Sequence, residues 1–145
     1  MKLYLDNCCF NRPFDDQSIV RNRLETEAKM HVQNQIQKGV HELVWSYILE
    51  YENSENPHHD RQTSTLKWKS IAVTHCTQTQ AIVAKARELE SKGIRSKDAL
   101  HISCALKSEA DYLLTTDDKM LSKTIEGIRL INPIDFVREE AKYDD

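Results

Sequence analysis

Four acidic residues lie close to the ends of short apolar segments of the sequence. Asp6 directly follows "KLYL", and Asp117 follows "YLLTT". Glu50 lies about one turn into the segment after "ELVW", and Asp98 lies near the start of "SKDALHISCALK". If the apolar segments are strands of a parallel sheet, their carboxyl ends meet at one edge, where such sheets bind ligands. The sequence therefore predicts that these four acids converge.

Converging carboxylates favour a divalent cation. Two ionised carboxylates about 4 Å apart repel by about 4 kcal/mol at an effective dielectric constant of about 20. A cation offsets this repulsion, and a site built from oxygen ligands alone suits Mg²⁺ or Mn²⁺. These ions bind phosphodiester oxygens and lower the pKa of water that they bind. The four acids therefore predict metal-dependent hydrolysis of a nucleic acid.

The spacing of apolar residues predicts the elements that must position the acids. Gly39, Gly93 and Gly127 each follow a helix-like run and precede a β-branched apolar residue, as expected where a helix ends and leads into a strand. Short apolar runs predict strands at residues 3–5, 42–45, 112–115 and 129–131. Helical spacing and end signals predict helices at residues 17–38, 46–53, 63–71, 79–92, 96–107 and 118–125, with loops at 7–16 and 54–62.

Strands that alternate with helices indicate βαβ crossovers and a parallel sheet covered on both faces. The chain has 145 residues, which suits one domain. We therefore predict an α/β protein, a single-domain three-layer α/β/α sandwich over residues 1–145 with a short, mainly parallel sheet.

Composition sets further bounds on the class of protein. With 39% hydrophobic and 30% charged residues, the chain has enough apolar material for a core, which excludes a disordered segment. The net charge of −3 means that a nucleic acid must be met by a local basic patch. We expect the four cysteines to be reduced and the protein to be cytoplasmic, with no membrane span.

Four segments together resemble the PIN domain family, which includes the ribonuclease toxins of toxin–antitoxin pairs. They are "LYLDNCCFNRP", "VWSYILEYE", "KDALHISCAL" and "LLTTDDKML", in this order. The resemblance implies that Asp6, Glu50, Asp98 and Asp117 hold Mg²⁺ or Mn²⁺ and that Thr115 orients a ligand or water. It also implies an RNA substrate, products with a 5′-phosphate and a 3′-hydroxyl, an antitoxin partner and a homodimer. Asn7 departs from the small hydroxyl residue that is more usual in the family after the first Asp.

Other interpretations of the same residues stay open. Asp98 could favour the positive end of a helix dipole, and Glu50 could be a solvated helix charge. Glu42 and Glu52 are nearby alternatives to Glu50, although we expect Glu52 to face another side of its helix. His101 and Cys104 lack a second pair with zinc-site spacing, so we predict no zinc.

Functions of other classes also compete with the nuclease. A protein of this fold could be a catalytically inert module that binds RNA or a partner protein. An aspartyl-phosphate enzyme also places an aspartate after its first strand, but a second Asp is then expected where this chain has Cys8. For RNA phosphates, Arg12 and Lys97 are the best candidates, because they lie near Asp6 and Asp98 in sequence.

Overall fold

Five short parallel strands form the centre of the computed structural model, which describes residues 1–144. The strands are β1 (Lys2–Leu5), β2 (Glu42–Ser46), β3 (Thr74–Cys76), β4 (Tyr112–Leu114) and β5 (Arg129–Ile131). Their order in the sheet is β3-β2-β1-β4-β5, and each neighbouring pair is parallel. Leu3, Tyr4 and Leu5 are all buried, as expected for a central strand covered on both faces.

In the described part of the chain, eight α-helices and one 3₁₀ turn flank the strands, and all but the last helix lie between strands in the sequence. The helices are α1 (Asn7–Asn11), α2 (Val20–Gln37), α3 (Tyr47–Ser54), α4 (His59–Ile71), α5 (Gln80–Ser91), α6 (Ser96–Lys107), α7 (Asp118–Leu121) and α8 (Pro133–Asp144), and the 3₁₀ turn is Arg12–Phe14. Within residues 1–144 none of them is both long and apolar enough to cross a bilayer.

The side chains of neighbouring strands show which helices cover each face of the sheet. The Tyr4 hydroxyl lies 2.6 Å from Nδ1 of His101 on α6, and α6 packs against α5. The Tyr112 ring lies 5.2 Å from the ring of Phe136 on α8, and α8 packs against α2. Helices therefore lie on both faces, which confirms the predicted three-layer α/β/α sandwich.

The strand order reverses at β1, and this reversal creates a crevice. The chain moves outward from β1 to β2 and β3, then returns through α5 and α6 to β4 on the other side of β1. Beyond the strand ends, the Asp6 amide still donates to the Leu114 carbonyl (2.9 Å). The segments that leave β1 and β4 therefore lie side by side at a switch point, where open parallel sheets bind ligands.

Two helices have other bounds than predicted: α4 begins at His59, inside the predicted loop, and α7 ends at Leu121 instead of residue 125. Three further elements were not predicted. The stretch predicted as a loop at residues 7–16 contains α1 and the 3₁₀ turn, because the Asp6 side chain accepts from the Asn7 amide and caps α1. Strand β3 was not predicted, since it is a three-residue edge strand with an exposed His75. Helix α8 was also missed, although it begins with Pro133 after Asn132, whose side chain accepts from the Ile134 amide.

Candidate active site

A pocket of about 330 Å³ opens at the carboxyl ends of β1 and β4. Three of the four predicted acids line it, and the full set of lining residues is Asp6, Asn7, Cys8, Asn11, Asp15, Glu52, Asp98, His101 and Asp117. Its floor is the switch point of the sheet, and its walls are the first turns after β1 and β4 together with α3 and α6. The pocket is therefore strongly acidic.

Asp6 and Thr115 form the floor of the pocket. The buried Asp6 carboxylate accepts a hydrogen bond from the Thr115 hydroxyl at its Oδ2 (2.8 Å) and from the Asn7 amide at its Oδ1 (2.8 Å). The Thr115 hydroxyl in turn accepts from the amide of Asp117 (3.1 Å). Thr115 thus joins the acid after β1 to the acid after β4. The Cys8 thiol also donates to Asp6 Oδ2 (3.3 Å).

The structure places Glu50 outside the pocket, contrary to the prediction. Its carboxylate accepts from the Trp45 indole (2.8 Å) and from Lys69 (3.1 Å). Partial burial raises the pKa of Glu50, but these two donors outweigh burial and lower it. Glu52 lines the pocket instead, because residues two apart on a helix point in nearly opposite directions.

The sequence contains a signal for Glu52 that the prediction overlooked. Glu52 is three and four residues after Leu49 and Ile48, which are both buried. Residues at these spacings share one helix face, so the buried side of α3 carries Glu52 toward the sheet. Glu50 belongs to the opposite side of the helix.

His101 is a further member of the pocket that the sequence did not reveal. Its side chain is 1% exposed, its Nε2 pairs with Glu52, and the same nitrogen is 3.5 Å from Asp6 Oδ1. Its Nδ1 meets the Tyr4 hydroxyl, which also lies 2.6 Å from the Ser46 hydroxyl. Burial opposes the charged imidazole, but Asp6, Glu52 and Asp98 outweigh this and raise the pKa of His101.

Asp98 and Asp117 form the outer part of the pocket and share one cation. Arg95 Nε lies 3.1 Å from Asp98 Oδ2, and its Nη2 contacts Asp117. Burial raises the pKa of Asp98; Arg95 opposes this, whereas the carboxylates of Asp6 and Asp117 add to it. The pKa of Asp98 is therefore raised chiefly because partial burial disfavours the charged form of its carboxyl group.

A buried ion network holds the wall of the pocket that follows β1. Glu25 on α2 is 0% exposed, with Arg12 Nε and Arg21 Nε each 3.2 Å from its carboxylate. Arg12 also donates to the Thr116 hydroxyl (2.8 Å), which ties the 3₁₀ turn to the segment after β4. Arg12 is therefore engaged within the protein, whereas Lys97 lies on the surface with its ammonium 5.7 Å from the centre of the Tyr51 ring.

Comparison with known proteins identifies the family of this fold and pocket. The family model of the PIN domain matches residues 3–126. The chain belongs to the PIN domain family. The fold is similar to one chain of the crystal structure of VapBC2 from Rickettsia felis bound to a DNA fragment from their promoter, with a TM-score of 0.55. The two chains are 18% identical, and the match covers 91% of this chain and 98% of the other. No curated protein sequence gave a significant match.

The oxygen atoms in this PIN domain pocket fit a divalent cation of the Mg²⁺ or Mn²⁺ type. Asp6, Glu52, Asp98 and Asp117 supply only carboxylate oxygens, which is the ligand set that such ions prefer. Within residues 1–144 no three acidic, histidine or cysteine side chains are already grouped as one cation site. The carboxylates are instead divided into two pairs, one facing His101 and one facing Arg95.

Proposed function

We propose that this PIN domain protein is a Mg²⁺- or Mn²⁺-dependent endoribonuclease and the toxin of a toxin–antitoxin pair. One observation carries the proposal: Asp6, Glu52, Asp98 and Asp117 come from four separate elements and line one pocket at the switch point of the sheet. Buried or half-buried acids in such an arrangement repel one another unless positive charge offsets them. Acidic residues that were only part of a charged surface would have no reason to converge in one pocket.

The residues of the pocket have separate roles in the proposed reaction. The four carboxylates would hold the cation, which supplies positive charge beside the scissile phosphate and lowers the pKa of a water that it binds. Thr115 holds Asp6 and Asp117 in fixed positions relative to each other through its two hydrogen bonds. His101 holds Glu52 against the floor of the pocket from a buried position. The products would be a 5′-phosphate and a 3′-hydroxyl.

The proposed partners follow from the same function. The substrate would be RNA, and the inhibitor would be an antitoxin protein, since the fold is shared with a chain of a VapBC complex. We also propose a homodimer, a single domain over residues 1–145 and a cytoplasmic site of action. Co-purification with the product of the neighbouring gene tests the antitoxin, and loss of cleavage on adding that product tests inhibition.

Two glutamates on one helix provide a matched test of the nuclease. Purified protein is incubated with labelled single-stranded and structured RNAs in Mg²⁺, Mn²⁺ or EDTA. We expect metal-dependent cleavage that Glu52→Gln and Asp98→Asn reduce by about 100-fold or more, because even a lost outer-shell partner of a metal ligand costs about 10- to 100-fold. Glu50→Gln is the control and should cleave like the wild type.

Three outcomes would contradict the proposal. Cleavage that persists in EDTA would exclude the cation. Loss of cleavage in Glu50→Gln but not in Glu52→Gln would place the site elsewhere on α3. RNA that is bound but never cut, by any protein in the series, would favour an inert binding module of the same fold.

A further inference from the structure

The guanidinium of Arg95 lies over the outer pair of carboxylates in the pocket. Arg95 Nη2 is 3.0 Å from Asp98 Oδ2 and also contacts Asp117. The Arg95 side chain is 57% exposed, whereas the side chains of Asp98 and Asp117 are 16% and 28% exposed. A largely solvent-exposed cation therefore covers the more buried oxygens to which a metal ion would bind.

The two nitrogen-bearing groups that face the carboxylates, the His101 imidazole and the Arg95 guanidinium, differ in how firmly they are held. His101 is buried and its second nitrogen is fixed by the Tyr4 hydroxyl, so it cannot leave its carboxylates without disrupting the core. Arg95 precedes the first turn of α6 with extended backbone angles, and its exposed side chain can swing into solvent. Only the Arg95 side chain can move away at little cost, because an exposed ion pair contributes about 0–1 kcal/mol.

A divalent cation and the Arg95 guanidinium compete for the same oxygens. An ion that binds Asp98 and Asp117 takes up the lone pairs that now accept from Arg95, and its positive charge repels the guanidinium nearby. Once released, the side chain remains at the rim of the pocket. A guanidinium is well suited to a phosphate, since its N–H groups form paired hydrogen bonds to phosphate oxygens.

We propose that Arg95 is a displaceable counter-ion of the metal site, which is released by the bound cation and then binds a phosphate of the RNA. The proposal rests on the proposed nuclease function. Arg95 then has two successive roles. Before the cation binds, it neutralises Asp98 and Asp117, and afterwards it contacts the substrate. Arg95 is a positioning residue for the substrate and takes no part in bond breaking.

The two roles predict effects of opposite sign for Arg95→Met. Cation binding should become about 3- to 10-fold tighter, because one or two exposed ion pairs no longer have to be broken. RNA binding should become about 3- to 10-fold weaker in the presence of a cation, since one phosphate contact is lost. In EDTA the same substitution should weaken RNA binding less, because the wild-type side chain is then occupied by the two carboxylates and makes no phosphate contact; only its neutralisation of their charge is lost. Arg95→Lys should lie between the wild type and Arg95→Met.

The experiment measures binding and does not depend on turnover. Mn²⁺ is titrated into wild type, Arg95→Met and Arg95→Lys by calorimetry, with Arg87→Met as a control, because Arg87 is an exposed arginine that lines a different cavity at the start of α5. Affinity for a single-stranded RNA is then measured by fluorescence anisotropy in Ca²⁺ and in EDTA, and a gel verifies that the RNA is intact. Circular dichroism checks that each variant is folded.

The outcomes separate this proposal from the proposed function. Tighter Mn²⁺ binding together with an RNA defect that is larger with the cation than in EDTA supports the role of Arg95. If Arg95→Met binds Mn²⁺ no more tightly than wild type, or weakens RNA binding equally in Ca²⁺ and EDTA, the counter-ion role is wrong while the metal site stands. If no protein of the series binds Mn²⁺, both the metal site and this proposal are overturned.

Discussion

Lys29 on α2 is a buried lysine whose charge should make folding depend on pH. Its side chain is 6% exposed. Burial lowers the pKa of Lys29 from 10.5 to about 8, and the nearby thiol of Cys9 opposes this only in part. Below pH 8 the folded protein must therefore hold a desolvated ammonium, whereas the unfolded chain holds a hydrated one.

The sign and the size of the effect follow from the two pKa values. Well below pH 8 Lys29 is charged in both states, and the folded state bears the whole penalty. Between pH 8 and pH 10.5 the folded state loses its proton first, so the penalty fades, and above this range the side chain is neutral in both states. The difference between 10.5 and about 8 corresponds to about 3 kcal/mol, because a change of one in pKa is about 1.4 kcal/mol.

We therefore expect Lys29→Met to raise the free energy of unfolding at pH 7 by about 3 kcal/mol and to lose this advantage toward pH 10.5. The assay is urea denaturation of wild type and variant, followed by circular dichroism, at pH 7, 8, 9 and 10. Lys67→Met, at an exposed position on α4, is the control and should show no such trend. A difference between wild type and Lys29→Met that stays constant from pH 7 to pH 10 would refute the reasoning, since it would reflect packing and not charge.

Two further substitutions test the groups that support the pocket. Glu25→Ala should lower the free energy of unfolding, measured by urea denaturation, by about 2–3 kcal/mol. This is less than the about 3–5 kcal/mol expected for a fully buried ion pair, because Arg12 and Arg21 are partly exposed. An effect no larger than that of replacing an exposed glutamate would count against the network. Tyr4→Phe leaves the buried Nδ1 of His101 without its hydroxyl partner. It should lower the free energy of unfolding by about 1–3 kcal/mol and should also reduce RNA cleavage. Unchanged stability and cleavage would show that the hydroxyl has no role.

The sequence predicted the fold well because its signals are local. Glycine after a helix-like run and short apolar segments depend on neighbours in the chain, and they located four of the five strands. Strand β3 was missed because an edge strand needs only one partner and can be short and polar. Its pairing with β2, through Val44 and Thr74, depends on tertiary contacts that no local pattern records.

The sequence predicted which elements bear the acids of the pocket, but not in every case which acid of an element points into it. Asp6 directly follows β1 and Asp117 comes three residues after the end of β4, so the sheet itself fixes where they lie. The choice between Glu50 and Glu52 depends on the rotation of α3 about its axis, which its buried residues determine. Burial of Ile48 and Leu49 fixes this rotation. Glu52, which lies four and three residues after them, therefore faces the same side of the helix.

The groups that face the acids of the pocket are regularly spaced in the sequence, which the positions of the acids alone do not show. Arg95, Asp98 and His101 are spaced by three residues at the start of α6, so they lie along one side of that helix. Asp98 is thus flanked by an exposed cation on the outer side and a buried imidazole on the inner side. One helix therefore supplies a carboxylate to the pocket together with both groups that offset its charge. Under the proposed mechanism, the inner pair, Asp6 and Glu52, would stay fixed, while the outer pair, Asp98 and Asp117, would exchange the Arg95 guanidinium for a metal cation.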